Sequence, residues 1–132
     1  MSKKSVGIGA EREILHKFWG SGWAAVRVAG SGAIKYPMPD VLASNNLRKL
    51  AIECKSTTGD RQYFSKKEIT ELQEFSRVFG AEPWVAVKFK GKTKGWFFLS
   101  LEDLNETAAG YSITPALLSV RGMSFEEVLG NF

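Results

Sequence analysis

The sequence predicts an α/β fold, a mixed central β-sheet flanked by α-helices. Three observations carry that expectation. A segment of helical period opens the chain, a capping box at Ser65 to Glu68 opens a second helix, and short apolar runs of strand length are punctuated by turn residues. The order is helix, three strands, helix, two strands and a short final helix, and both element types share one small chain. At 132 residues the chain reads as one domain spanning 1–132, long enough to bury a core without staples.

Each element has a local reason. From about Gly9 to Trp19, Ile14, Leu15 and Phe18 share a helical face, and Gly20 and Gly22 end the segment. Trp23 to Val28 reads as a strand, broken at Gly30 and Gly32. Ala33 to Met38 reads as loop, since Pro37 and Pro39 cannot donate to a ladder. Asp40 opens a strand through Ala43, Ser44 to Asn46 turn, and Leu50 to Lys55 return as the second arm of a hairpin. Ser56 to Arg61 reads as polar loop. The helix from Ser65 to about Phe79 carries the stripe Ile69, Leu72, Phe75, Ser76 and Phe79, with Gly80 as its stop. Pro83 to Phe89 and Trp96 to Ser100 are strands around the basic turn Lys90 to Gly95. Residues 101 to 123 give no clear pattern, and Ser124 with Glu127 caps a short helix to Leu129.

Composition narrows the function. One cysteine and one histidine exclude an internal disulfide and a Cys/His zinc site, and favour a reducing, cytoplasmic setting. No apolar run is long enough for a membrane span, and the basic start, Lys3-Lys4, has no apolar stretch after it to make a signal peptide. A net charge of +4 permits nucleic-acid binding without establishing it. Lys35, Arg61, Lys66, Lys67, Lys88, Lys90, Lys92 and Lys94 lie mostly in loops and at element ends, where they could follow a phosphate backbone.

The chemistry is concentrated in a few polar residues. Strand alternation sets Leu50, Ile52 and Cys54 on a core face and Ala51, Glu53 and Lys55 on the other. Glu53 and Lys55 are then about 7 Å apart on one face. They could be a solvated charge pair on an exposed edge. The hairpin, however, brings Asp40 across from them, so that two carboxylates and a lysine converge. Close carboxylates repel unless a cation neutralises them, and such oxygen donors suit Mg²⁺ together with a phosphate substrate. Glu11 lies about 20° from Phe18 on the helical wheel, inside the apolar stripe. It is either a fourth member of this group or a helix N-terminal acid favoured by the dipole. Arg12 and Glu13 point elsewhere. His16 falls on the polar face, and Cys54 reads as a structural thiol.

Pro39-Asp40 followed by Glu53-Cys54-Lys55, thirteen positions on, resembles the PD-(D/E)XK nuclease motif. Gly9 to Glu13, Val26 to Ser31, Glu74 to Gly80 and Trp84 to Phe89 resemble the archaeal Holliday junction resolvases over roughly residues 7 to 98 and the last helix. The resemblance implies a restriction-endonuclease-like core and a homodimer that places paired symmetric nicks in four-way junction DNA, using Mg²⁺ or Mn²⁺, in recombination and repair. It implies metal-site roles for Glu11, Asp40 and Glu53, catalytic roles for these and for Lys55, and activity-supporting basic roles for Arg12 and Arg27. It also implies that Ser31 lies on a mobile loop over the junction. The loop Gly32 to Pro39 is longer than in the shortest family forms.

Within this reading, Arg12, Arg27 and Lys35 are the expected DNA contacts. The dimer contacts are expected among the outer apolar residues of the second helix, the strand Trp96 to Leu99, and Phe125, Leu129 and Phe132. Two other functions fit part of the pattern. One is a PD-(D/E)XK endonuclease acting on plain duplex, and the other is a basic DNA-binding module without catalysis.

Overall fold

A computed structural model describes residues 3–28, 30 and 34–130, with side chains from Gly9 onward. In chain order the elements are α1 (Lys3–Gly20), β1 (Ala24–Arg27), β2 (Val41–Ser44), β3 (Lys49–Thr57), β4 (Gln62–Ser65), α2 (Lys66–Phe79), β5 (Glu82–Phe89) and β6 (Phe97–Leu99). A 3-10 turn (Leu101–Asp103), β7 (Asn105–Glu106), β8 (Gly110–Ile113), α3 (Pro115–Arg121) and α4 (Phe125–Leu129) complete the chain.

The main sheet has the order β1-β2-β3-β5-β6. Its β1–β2, β2–β3 and β5–β6 pairs are antiparallel, while β3 and β5 run parallel with Glu53 opposite Val85. Parallel strands need a crossover, and β4 with α2 supplies it. The expected mixed sheet is therefore present. The strand content of 56–65 departs from expectation: β3 runs two residues into the expected loop, to Thr57, and β4 forms at Gln62–Ser65, where no strand was expected, while 58–61 are loop as expected. β4 is short, and its partner β8 lies far along the chain, within the stretch that had no readable pattern. Together β4, β8 and β7 form a second, antiparallel sheet.

Two apolar cores lie on opposite faces of the main sheet. On one face Ile14 and Phe18 of α1 meet Leu50 and Ile52 of β3, Phe98 of β6, and Phe125 and Val128 of α4. On the other, Ile69 and Leu72 of α2 meet Ala51, Val85, Val87, Phe64, Ile113 and Leu118. β3 contributes to both, since its alternate residues point to alternate faces. The alternative of an exposed edge at Ala51, Glu53 and Lys55 is thereby set aside. β3 lies between β2 and β5, and Ala51 is fully buried.

Local chemistry sets the boundaries. Ser65 Oγ accepts from the Glu68 amide and the Glu68 carboxylate accepts from the Ser65 amide, while Gly80, at φ 82°, ends α2 in the left-handed conformation. Ser124 and Glu127 repeat the box on α4. In the β2–β3 turn the Asn45 side chain accepts from the amides of Leu47 and Arg48 at 3.0 and 2.8 Å. Arg48 then clamps three elements. It donates twice to the Glu82 carboxylate, both at 2.8 Å, and once to the Val128 carbonyl at 2.7 Å.

The C-terminal residues expected at a dimer contact are core instead. Phe125 packs edge-on against Phe18 with ring centroids 5.0 Å apart, Leu129 packs against the same core, and Trp96, Phe98 and Leu99 are buried. Phe132 lies outside the described residues. Once α1 and α4 share a core, the helix-like spacing of Phe125 and Leu129 records packing within the chain.

Candidate active site

The site is assembled at the junction of β2 and β3. The Asp40 amide donates to the Ile52 carbonyl at 3.1 Å, and the Cys54 amide donates to Asp40 Oδ2 at 2.9 Å. The hairpin therefore fixes the Asp40 side chain through the backbone of β3. Its carboxyl group is hydrogen-bonded to that of Glu53. Burial, then the charge of Asp40 and this hydrogen bond, push the Glu53 carboxyl up to about 9. Two close carboxyls in a low-dielectric niche are a pair in want of a cation.

Glu11 approaches from α1. It is drawn to Arg27 of β1, with Nη1 to Oε2 at 3.5 Å and only 15 % of its side chain exposed. Desolvation and the nearby Asp40 charge raise its pKa, and Arg27 offsets part of that rise. The fields of Asp40, Glu53 and Glu11 all reach the half-buried Cys54 thiol, where burial foremost and these charges next push its pKa well upward. Among the described residues no group of three or more His, Cys, Asp or Glu side chains stands close enough to hold a metal ion together. The structure brings Asp40 and Glu53 together, while Glu11 is paired with Arg27.

Lys55 sits on the same face of β3 as Glu53, but its ammonium is not bonded to Asp40 or Glu53. It meets the Glu68 carboxylate at 3.0 Å, donates to the Tyr63 carbonyl at 3.2 Å, and lies 4.9 Å from the centroid of the Phe64 ring. The convergence expected from the hairpin is therefore a carboxylate pair with the lysine drawn aside to β4 and α2. Sequence reading missed this part of the site. Glu68 had a complete local explanation as a capping residue, and β4 was not recognised as a strand.

Of the basic residues, Arg12 and Lys35 are exposed and Arg27 is half-buried beside Glu11. Ser31 lies outside the described residues. Two lysines expected to follow a phosphate backbone are engaged within the chain. Lys88 pairs with Glu13 at 2.9 Å, and Lys92 donates to the carbonyls of Thr58 and Gly59 at 2.8 and 3.0 Å. Lys92 thereby staples the β5–β6 turn to the loop that follows β3. His16 is exposed, as its polar-face position implied.

A five-stranded mixed sheet flanked by helices, with an aspartate and a Glu-x-Lys pair on adjacent strands, defines the restriction-endonuclease-like class of nucleases. Comparison with known proteins narrows the class. The profile of the archaeal Holliday junction resolvase family, Hjc, matches residues 2–132. The crossover junction endodeoxyribonuclease Hjc of Archaeoglobus fulgidus is 39% identical over 129 residues, covering 98% of this chain and 93% of that protein. The protein of the same name from Methanocaldococcus jannaschii is 30% identical over 120 residues, 91% of this chain and 84% of the relative. The solved structure of Archaeoglobus fulgidus Hjc, a Holliday junction resolvase, superposes with a TM-score of 0.84 at 38% identity, covering 91% of this chain and 95% of that one. The chain belongs to the archaeal Holliday junction resolvase family.

Proposed function

We propose that this chain is a metal-dependent endonuclease that resolves four-way DNA junctions, with 1–132 acting as one nuclease domain in the cytoplasm. The observation that carries the chemistry is the half-buried Asp40–Glu53 pair with Lys55 on the same strand face. A carboxyl pushed to about 9 by burial and by its neighbour is poised to exchange its proton for a cation, and an all-oxygen donor pair suits Mg²⁺ or Mn²⁺. Asp40 and Glu53 would hold the ion, with Glu11 contributing across the niche. Such an ion supplies a Lewis acid for a phosphate oxygen and an acidified water.

The protein's own residues do the rest. Lys55 carries positive charge beside the carboxylate pair, where the phosphate gains negative charge. Arg27, tied to Glu11, and the exposed Arg12 and Lys35 offer contacts to the backbone phosphates. The sequence shows no recognisable base-reading element, which suits recognition of a branched shape.

Resolution requires two nicks related by a two-fold axis, and each chain carries one site, so the acting unit is a homodimer. An apolar surface beside α2 supports this reading. α2 leaves the β1 end of its sheet face bare, so Val26, Val78 and Phe79 are exposed. Two shallow apolar grooves of ≈ 320 and ≈ 290 Å³ meet at Phe79, the first floored by Phe75 and Val78 and the second by Val26 and Leu42. A contiguous apolar face of this kind fits a second copy of the chain. A supercoiled plasmid that extrudes a cruciform tests the proposal. Paired nicking in one binding event yields linear product directly with Mg²⁺. Accumulation of nicked circles without linear product would refute the paired mechanism.

A further inference from the structure

The Lys55 ammonium is held by groups that belong neither to β3 nor to the carboxylate pair. Glu68 Oε1 accepts from the Ser65 amide at 2.9 Å, closing the cap of α2, and from Lys55 Nζ at 3.3 Å, while its Oε2 meets Lys55 Nζ at 3.0 Å. One carboxylate thus fastens the lysine to a helix start whose geometry is fixed by the reciprocal Ser65 bond. The Tyr63 carbonyl and the Phe64 ring, both of β4, complete the cradle. β4 in turn is held by β8, with Phe64 opposite Tyr111 and Ser65 opposite Gly110. At Gly110 the two strands approach so closely that a Cβ would stand 2.4 Å from the Phe64 carbonyl oxygen and 3.2 Å from the Ser65 Cα. The small sheet and the α2 cap therefore converge on one long, flexible side chain.

We infer that Glu68 is a positioning residue for Lys55, and that the small β4-β8-β7 sheet exists in part to hold this cradle in place. A lysine with four rotatable bonds loses rate when it must find its geometry during the reaction. A carboxylate anchored at both oxygens removes that search. The inference rests on the proposed catalytic role of Lys55 and goes beyond it. It gives the stretch 101–123, which carries no motif, a place in catalysis through β7 and β8.

The test is single-turnover cleavage of a synthetic four-way junction with Mg²⁺, alongside junction affinity and thermal stability, on the full-length chain. Glu68→Gln retains an oxygen that accepts from the Ser65 amide but loses the charge and the closer oxygen that hold Lys55. It should lower the rate at saturating junction about ten- to a hundredfold with affinity within roughly twofold. Ser65→Ala breaks the other half of the cap while leaving the Glu68–Lys55 pair; it should lower stability and cost less rate than Glu68→Gln. In a Lys55→Ala background, Glu68→Gln should cost nothing further, a coupling that a merely structural glutamate would not show. Gly110→Ala, which forces β4 away from β8, should reduce the rate in the same manner as Glu68→Gln. A wild-type rate for Glu68→Gln, or an undiminished cost of that change in the Lys55→Ala background, overturns the inference. Full activity of Lys55→Ala alone would instead overturn the proposed role of the lysine, so the two failures are told apart.

Discussion

Replacing Glu53 with glutamine should stabilise the metal-free protein, and the gain should grow with pH. In the folded chain the Glu53 carboxyl is raised from 4.5 to about 9 by burial and by Asp40. A raised carboxyl is protonated in both states below its unfolded pKa, so its effect is nil there. Between the unfolded and folded values the folded chain binds the extra proton, and stability falls by about 1.4 kcal/mol for each pH unit. At pH 7 the loss reaches up to about 3 kcal/mol. Glutamine has no proton to lose, and its amide donates to Asp40 as the protonated acid does. In chelator, Glu53→Gln should therefore melt up to about 10 °C higher near neutral pH and match the wild type near pH 4.5. Denaturant unfolding from pH 5 to 9, with and without Mg²⁺, measures the difference. Added Mg²⁺ should stabilise the wild type and not the variant. Parallel stability curves for the two proteins across that range would refute the reasoning.

Other perturbations have defined outcomes. Arg48→Ala, which removes two bonds to Glu82 and one to the Val128 carbonyl, should cost about 2 kcal/mol in urea unfolding, with the exposed part of the ion pair discounted. Val78→Glu with Phe79→Glu, both at exposed positions, should halve the solution mass by light scattering while leaving the melting temperature nearly unchanged. Phe125→Glu places a charge in the core between Phe18 and Phe98 and should unfold the chain, as circular dichroism would show. Junction affinity should fall about a thousandfold between roughly 50 and 200 mM salt if six or so phosphates are contacted, as fluorescence anisotropy would report.

Much of this arrangement was legible in the sequence because its determinants are local. The helix stripes, both capping boxes, the Asn45 turn and the alternation in Leu50 to Lys55 each work through neighbours a few residues apart. The spacing of Asp40 and Glu53 was enough to bring them together, since a hairpin turns sequence separation into cross-strand contact. What escaped depends on distant pairing. β4 and β8 are too short to show a period, and each acquires its strand conformation from the other. Glu68 was hidden by having one sufficient reason to be present, its cap, which concealed a second. The same economy misled the reading of Phe125 and Leu129. An amphipathic end segment has the same pattern whether it covers its own sheet or a partner, and the difference lies in whether α1 leaves room for it. The engagement of Lys92 with two backbone carbonyls belongs to the same class, since no local pattern distinguishes a lysine stapling two loops from one awaiting a phosphate.

The central claim is that Asp40, Glu53 and Lys55 form a junction-cleaving centre. Its most direct test measures cleavage of an immobile four-way junction and of a matched linear duplex by the wild type and by Asp40→Asn, each with Mg²⁺ and with chelator. The wild type should cut the junction, spare the duplex and require the metal, and Asp40→Asn should bind the junction with undiminished affinity yet leave it intact. Equal cutting of the duplex, or full cleavage by Asp40→Asn, would contradict it.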